Sequence, residues 1–216
     1  MNRLKPLIGI CGPAGSGKDT LADGIAALDV YFKYSFADPI RNALNAMFGW
    51  GPVHWQNREW KEAPIPWLER ELAAEGHESE MCNPSPRYLA QTIGTEWGRE
   101  MIDAELWLKI AQQKFAKVNQ TAEMKGGRIV GLGMIIPDVR FKNEAEWIRR
   151  EGGLLLKVER PGMEAISESS HASEAGLDPA LIDAVIINDG PPSVMIMAAR
   201  KVLWESSGLS ANSRAG

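Results

Sequence analysis

An apolar run, Leu7-Ile8-Gly9-Ile10-Cys11, leads without a break into Gly12-Pro13-Ala14-Gly15-Ser16-Gly17-Lys18-Asp19-Thr20. Strand, glycine loop, lysine and helix in that order make a phosphate-binding loop. The glycines let the backbone turn tightly with its N–H groups facing inward, and the helix that opens near Lys18 adds the positive end of its dipole. Gly12, Ala14, Gly15, Ser16 and Gly17 are the expected cradle, and Lys18 is a mobile charge for the outer phosphates. A nucleoside triphosphate is the expected ligand. Ser or Thr usually follows the lysine as a magnesium ligand. Here Asp19 stands in that place and Thr20 comes next, which leaves Asp19 a role through water, because Mg²⁺ keeps several waters and takes only one or two carboxylates.

Phosphoryl transfer also needs a metal, neutralising cations and an acceptor held in line. Arg41, Arg87, Arg99 and Arg140 each fall where a loop meets an expected helix or strand end, and a guanidinium pairs with phosphate bidentately. Asp138, closing an apolar strand, is a candidate metal carboxylate, with a plain turn residue as the equal alternative. A hydroxyl acceptor would need a base, for which Asp38 is the candidate. A phosphate acceptor needs none, since its second pKa is about 6. Many arginines and few bases favour the phosphate, and hence a monophosphate kinase. The eight tryptophans carry less information, because large aromatics fill cores.

The elements that must position these groups follow from periodicity. Lys18 to about Leu28 reads as a helix, Tyr31 to Phe36 as a strand, and Pro39 to about Phe48 as a helix opened by proline. Gly49 to Pro86 is an irregular excursion crowded with Trp, Pro and charge, with a helical stretch near Trp67 to Glu75. From Ser85-Pro86 a helix sets Arg87, Gln91, Thr95 and Arg99 four apart on one face, and Leu89, Ile93 and Trp97 on the other. A helix from Ala104 to Asn119, a strand from Ile129 to Pro137, a helix from Asn143 to Glu151 and strands at Leu154–Glu159 and Ala184–Ile187 follow. A helix from about Ser193 to Leu203 closes the series. This alternation predicts an α/β P-loop NTPase fold, a parallel five-stranded sheet with helices on both faces and ligands at its carboxyl edge. Residues 160–180, between the last strands, read as a lid.

Length and composition set outer bounds. The 216 residues suit one kinase domain over 1–204, with a helical excursion over about 38–120 and a Ser/Gly/Ala-rich tail over 205–216. A net charge of −4 gives no basic field for nucleic acid. Two cysteines without metal or redox spacing and three scattered histidines fit a cytoplasmic protein. No apolar run approaches a membrane span.

The chain resembles the bacteriophage deoxynucleoside monophosphate kinases of the P-loop nucleoside monophosphate kinase group. The likeness rests on GPAGSGKDT at Gly12 to Thr20, SFADPIR at Ser35 to Arg41, SPRYLAQTIGTEWGR at Ser85 to Arg99, DVRFKNEAEWI at Asp138 to Ile148, VERPG at Val158 to Gly162, and HASE at His171 to Glu174. The resemblance implies transfer of the ATP γ-phosphate, with Mg²⁺, to a 2′-deoxynucleoside 5′-monophosphate, in host cytoplasm if the source is viral. It places Lys18 and the loop at ATP, and Asp19 and Thr20 beside metal and inner phosphates. Ser35, Asp38, Arg41, Arg87, Gln91, Thr95, Arg99 and Arg140 fall at the acceptor, Arg160, His171 and Glu174 in the lid, and Asn188 in a loop near adenine. Lys18, Arg41, Arg99 and Arg140 are the catalytic set it implies. A homodimer is one allowed assembly. SGKD, Asp138-x-Arg140 and SEAGLD are also similar to phosphomevalonate kinases, and a non-catalytic nucleotide sensor is the alternative from another class.

Overall fold

The computed structural model describes residues 6–28, 31–68, 70–72, 80–123, 133–162 and 177–206. The chain forms two compact units, Met1–Ser35 with Ala111–Gly216, and Phe36–Ile110.

The first unit holds strands β1 (Leu7–Cys11), β2 (Tyr31–Lys33), β5 (Gly133–Ile136), β6 (Leu154–Glu159) and β7 (Ala184–Ile187). They pair in the order β2-β5-β1-β6-β7, every neighbour parallel. This is the expected five-stranded parallel sheet. The fully buried β1 sits in the middle, because a parallel strand covered on both faces must be apolar throughout. Ile8 and Ile10 face Leu21 and Ile25 of helix α1 (Lys18–Leu28) and Met195 and Ala199 of helix α7 (Pro192–Ser206). On the opposite face a Cβ at Gly9 would lie 2.5 Å from Ile148 Cδ1, so this glycine admits helix α6 (Lys142–Arg150). Trp147 of α6 meets Phe115 of helix α5 (Leu106–Glu123) edge-on, ring centres 5.9 Å apart. Helices thus cover both faces. Beyond β6, Asp183 accepts from Leu155 N at 2.8 Å and donates its own N–H to Leu155 O, which fixes where β7 begins.

The second unit contains α2 (Asp38–Phe48), a 3₁₀ turn at Pro52–Gln56, α3 (Arg58–Glu62), a hairpin of β3 (Arg70–Leu72) with β4 (Glu80–Cys82), α4 (Pro86–Thr92) and a ten-residue π-helix, Ile93–Ile102. Several of its tryptophans gather in a half-exposed aromatic cluster. Trp50 stacks on Phe48 at 4.5 Å and meets Trp60 edge-on at 4.9 Å, while Trp55 donates to Asn45 Oδ1 at 2.8 Å.

Four expectations are corrected. The helix over Trp67–Glu75 is instead strand β3 at Arg70–Leu72, because these residues find partners across the hairpin at Glu80–Cys82; 73–75 lie outside the described residues. The second strand ends at Lys33 rather than Phe36, and one further bond, Tyr34 N to Ile135 O at 2.9 Å, closes its ladder. The helix opened by Pro86 changes after Thr92 from α to π winding, so residues four apart no longer share a face. Trp97, placed opposite the polar face, is 46% exposed. The final helix runs on to Ser206. Among the described residues no helix is long and apolar enough to cross a membrane.

Candidate active site

The glycine loop sits at the carboxyl end of β1. Gly12 has φ 138°, and a Cβ there would lie 2.4 Å from Val158 O, so only glycine lets the loop leave the strand beside β6. The loop closes with Ser16 N on Pro13 O at 3.2 Å, and α1 starts with Leu21 N on Gly17 O at 2.9 Å. Ala14 and Gly15 are exposed at the loop's crest. Ser16 is fully buried, and its Oγ has no hydrogen-bond partner among the described residues.

Lys18 folds back over the loop, its ammonium donating to Gly12 O at 2.6 Å and Pro13 O at 2.8 Å. Burial lowers its pKa from the ordinary lysine value, and Asp138 opposes that shift most strongly. Asp138 and Arg140 follow β5, where Val139 N bonds Ile10 O at 3.0 Å. Asp138 Oδ2 accepts from Arg140 Nε at 2.9 Å and also stands 2.9 Å from an Arg140 terminal nitrogen. Lys18, Asp138 and Arg140 therefore form one electrostatic group at the carboxyl ends of β1 and β5.

Glu144, which sequence reasoning passed over, fixes this turn. It is 2% exposed, and its Oε2 accepts from Arg140 N at 2.9 Å and Phe141 N at 3.1 Å. The signal was present, since a glutamate at the third helical position reaching back to open backbone N–H groups is the carboxylate half of a capping box. Lys33 was also missed. Its ammonium pairs with Asp23 at 2.8 Å and Asp19 at 3.2 Å, so Asp19 stands against a cation with its side chain 79% exposed. Thr20 is exposed beside it.

At the ends of β6 and β7, Arg160, Pro161, Asn188, Asp189 and Gly190 line a cavity of about 330 Å³. Asn188 Nδ2 donates to Ser16 O at 2.7 Å. Of the expected lid, Arg160 is exposed, while His171 and Glu174 lie outside the described residues. Ser35 is half-buried at the end of this unit's first segment.

The second unit carries the other arginines. Asp38 is the first residue of α2 rather than a loop residue, and Arg41 stands 3.6 Å from it. Ser85 caps α4 through Tyr88 N at 3.2 Å. Arg87, in the first turn of α4, meets Glu62 at 2.6 Å. Gln91 and Thr95 are exposed on successive helical stretches. Arg99, in the π-helix, donates to Ala104 O at 3.3 Å. Packing joins α2 to these stretches, since α2 contacts α4 and a Cβ on Gly94 would lie 3.2 Å from Ile40 Cδ1. Trp107 donates to Gly94 O at 2.7 Å and pins the π turn.

Comparison with known proteins follows the same line. The sequence profile described as "Deoxynucleotide monophosphate kinase" matches residues 70–196. The chain is 31% identical over 175 residues to a protein of Acanthamoeba polyphaga mimivirus provisionally assigned as a deoxynucleotide monophosphate kinase, covering 79% of this chain and 81% of the relative. It is 27% identical to the deoxynucleoside-5′-monophosphate kinase of Escherichia phage T5, with 86% and 90% covered. It is likewise 27% identical to the deoxynucleotide monophosphate kinase of Enterobacteria phage T4, with 85% and 92% covered.

Proposed function

Because the chain belongs to the deoxynucleotide monophosphate kinase family, and so is a nucleotide-directed phosphotransferase, we propose that it moves the γ-phosphate of ATP, with Mg²⁺, in line onto the phosphate of a 2′-deoxynucleoside 5′-monophosphate. The observation that carries this is the state of Lys18, a cation partly withdrawn from water and held on two carbonyls of its own loop. A triphosphate entering the loop supplies the anion that this ammonium lacks, and Ser16 Oγ, buried without a partner among the described residues, gains an acceptor at the same time.

The first unit binds the donor. Loop N–H groups and the start of α1 hold the inner phosphates, Lys18 the outer ones, and Arg140 neutralises the moving group. Among the described residues no three His, Cys, Asp or Glu side chains converge as a metal cage. That suits Mg²⁺, which binds through substrate phosphates, water and one or two carboxylates. Asp138 or Asp19 would hold it, each standing beside a cation, Arg140 and Lys33 respectively. When bound, the ion supplies charge neutralisation to the donor phosphates. Arg41, Arg87 and Arg99 of the second unit bind the acceptor phosphate, with Gln91 and Thr95 toward its sugar or base. The acceptor oxygen is ionised at neutral pH, with a second phosphate pKa of about 6, so Asp38 serves to hold Arg41 rather than as a base.

The family match favours a nucleotide acceptor over phosphomevalonate. Incubating the protein with ATP, Mg²⁺ and each deoxynucleoside monophosphate in turn, with mevalonate 5-phosphate as control, and measuring ADP tests the reading. Acceptor-dependent ADP with at least one deoxynucleotide is the expected result. ADP formation that no deoxynucleotide stimulates would end the proposal.

A further inference from the structure

Asn188 spans the site in a way that base recognition does not require. Its backbone N–H donates to Glu159 O at 2.7 Å, tying the residue after β7 to the end of β6. Its side chain reaches 172 residues back along the chain to give Nδ2 to Ser16 O at 2.7 Å. The fit is close, since a Cβ on Gly17 would lie 2.6 Å from Asn188 Nδ2 and 3.6 Å from Met195 Sδ. With φ at 104° as well, Gly17 is glycine for two separate reasons.

Ser16 C=O and Gly17 N–H belong to one peptide group, and in a trans peptide these two point in opposite directions. Whatever grips the oxygen therefore aims the hydrogen. With the oxygen held by Asn188, the Gly17 N–H turns away from the β7 loop, as a loop that gathers its donors around a phosphate requires. Donors fixed in advance bind an anion without a cost of reorganisation.

We infer that Asn188 is a positioning residue for the donor phosphates: it fixes the Ser16–Gly17 peptide with one N–H of its side-chain amide. The inference rests on the proposed reading that the loop holds a triphosphate. It adds a phosphate-side role to the expectation that Asn188 lies in a loop near adenine, and Asn188 shares the lining of the adjoining cavity with Arg160, Pro161, Asp189 and Gly190.

Inorganic tripolyphosphate, which has no base, separates the two roles. Calorimetric titration of the full chain with tripolyphosphate and with ATP, both with Mg²⁺, is compared between wild type, Asn188→Ala and Asn188→Asp, with thermal melting to establish folding. Losing one hydrogen bond predicts a fall of about three- to tenfold in affinity for Asn188→Ala. Asn188→Asp, which sets a carboxylate against the Ser16 carbonyl, falls further. In each variant the factor is the same for tripolyphosphate and ATP. Unchanged tripolyphosphate affinity in a folded variant overturns the inference, whether or not ATP binding weakens. A wild type that binds ATP but no tripolyphosphate overturns it too. Should Asn188→Asp fail to fold, Asn188→Ala alone decides. A wild type that binds tripolyphosphate yet turns over no deoxynucleotide sinks the proposed function and leaves this inference to its own result.

Discussion

Arg87 Nε stands 2.6 Å from Glu62 Oε1, joining the first turn of α4 to the last residue of α3. Occupying Nε holds the guanidinium plane. Both side chains are nearly half exposed, so the pair adds little to stability, about 0–1 kcal/mol. Under the proposed function its effect falls on acceptor binding. Arg87→Ala should raise the acceptor KM by about tenfold or more with the ATP KM unchanged, and Glu62→Ala should raise it less while the melting temperature hardly moves. Equal rises in both KM values would remove Arg87 from the acceptor.

Lys18→Ala should separate activity from stability. Turnover should drop by about 10² or more, as on losing a preorganised charge stabiliser. The folded state disfavours the charged ammonium, because burial lowers its pKa. That penalty is present at neutral pH and vanishes only as pH rises past the unfolded value. Removing the charge should therefore leave the melting temperature equal or higher. A steady-state assay beside thermal melting checks both halves, and a large loss of stability would contradict the second.

Glu144→Ala leaves the N–H groups of Arg140 and Phe141, in part-buried bonds, without this acceptor. The expected cost is about 2 kcal/mol or more, read as a lower urea midpoint, with a fall in kcat because the turn carrying Asp138 and Arg140 loosens. Glu144→Gln keeps one carbonyl oxygen and should recover part of both. Identical behaviour of the two variants would show that the acceptor does not matter.

Cys11, 6% exposed at the end of β1, has its thiol pushed by burial from 9.0 up to about 11, with Lys157 and Lys18 pulling partly back. An unfolded chain loses this proton near the lower value and the folded chain keeps it to the upper one. Stability is thus unaffected below pH 9 and declines between 9 and about 11, by about 2–3 kcal/mol in all. Urea unfolding across that window should show the decline in wild type and a smaller one in Cys11→Ala.

Gly98 lies under Trp107, where a Cβ would meet Trp107 Cζ2 at 2.5 Å and Ile93 O at 2.8 Å. The indole cannot easily withdraw, because its N–H is bonded to Gly94 O. Gly98→Ala should cost about 1–3 kcal/mol by overpacking, against the usual gain from replacing a helical glycine by alanine. A stabilised variant on urea titration would mean that the ring moves aside.

Most of the first unit could be read from the chain. A central parallel strand must be continuously apolar, so Leu7–Cys11 announced itself, Leu154–Glu159 and Ala184–Ile187 showed as short apolar runs, and the loop glycines marked where α1 begins. The second unit was less legible, because its decisive partners are distant. Arg70–Leu72 has helix-forming residues and becomes a strand only by pairing with Glu80–Cys82. The π stretch that begins at Ile93 takes a bond at Gly94 O from Trp107, thirteen residues further on. Of the site, the loop, Asp138 and the arginines were visible as residue types, whereas Glu144, Glu62 and Lys33 act through partners that spacing alone does not identify.

Ile93–Ile102 winds with i→i+5 closure, as in Asp103 N on Gly98 O at 3.0 Å, and such turns enclose more chain than α turns need. The stretch therefore works as a store of surplus length. Trimming one residue between Gly94 and Gly98 would let the chain rewind toward the tighter helix, the rewinding offsetting most of the rotation that a deletion from an ordinary helix would cause. A one-residue change in gene length at this point would be taken up between Ile93 and Asp103, with Arg99 among the side chains re-aimed.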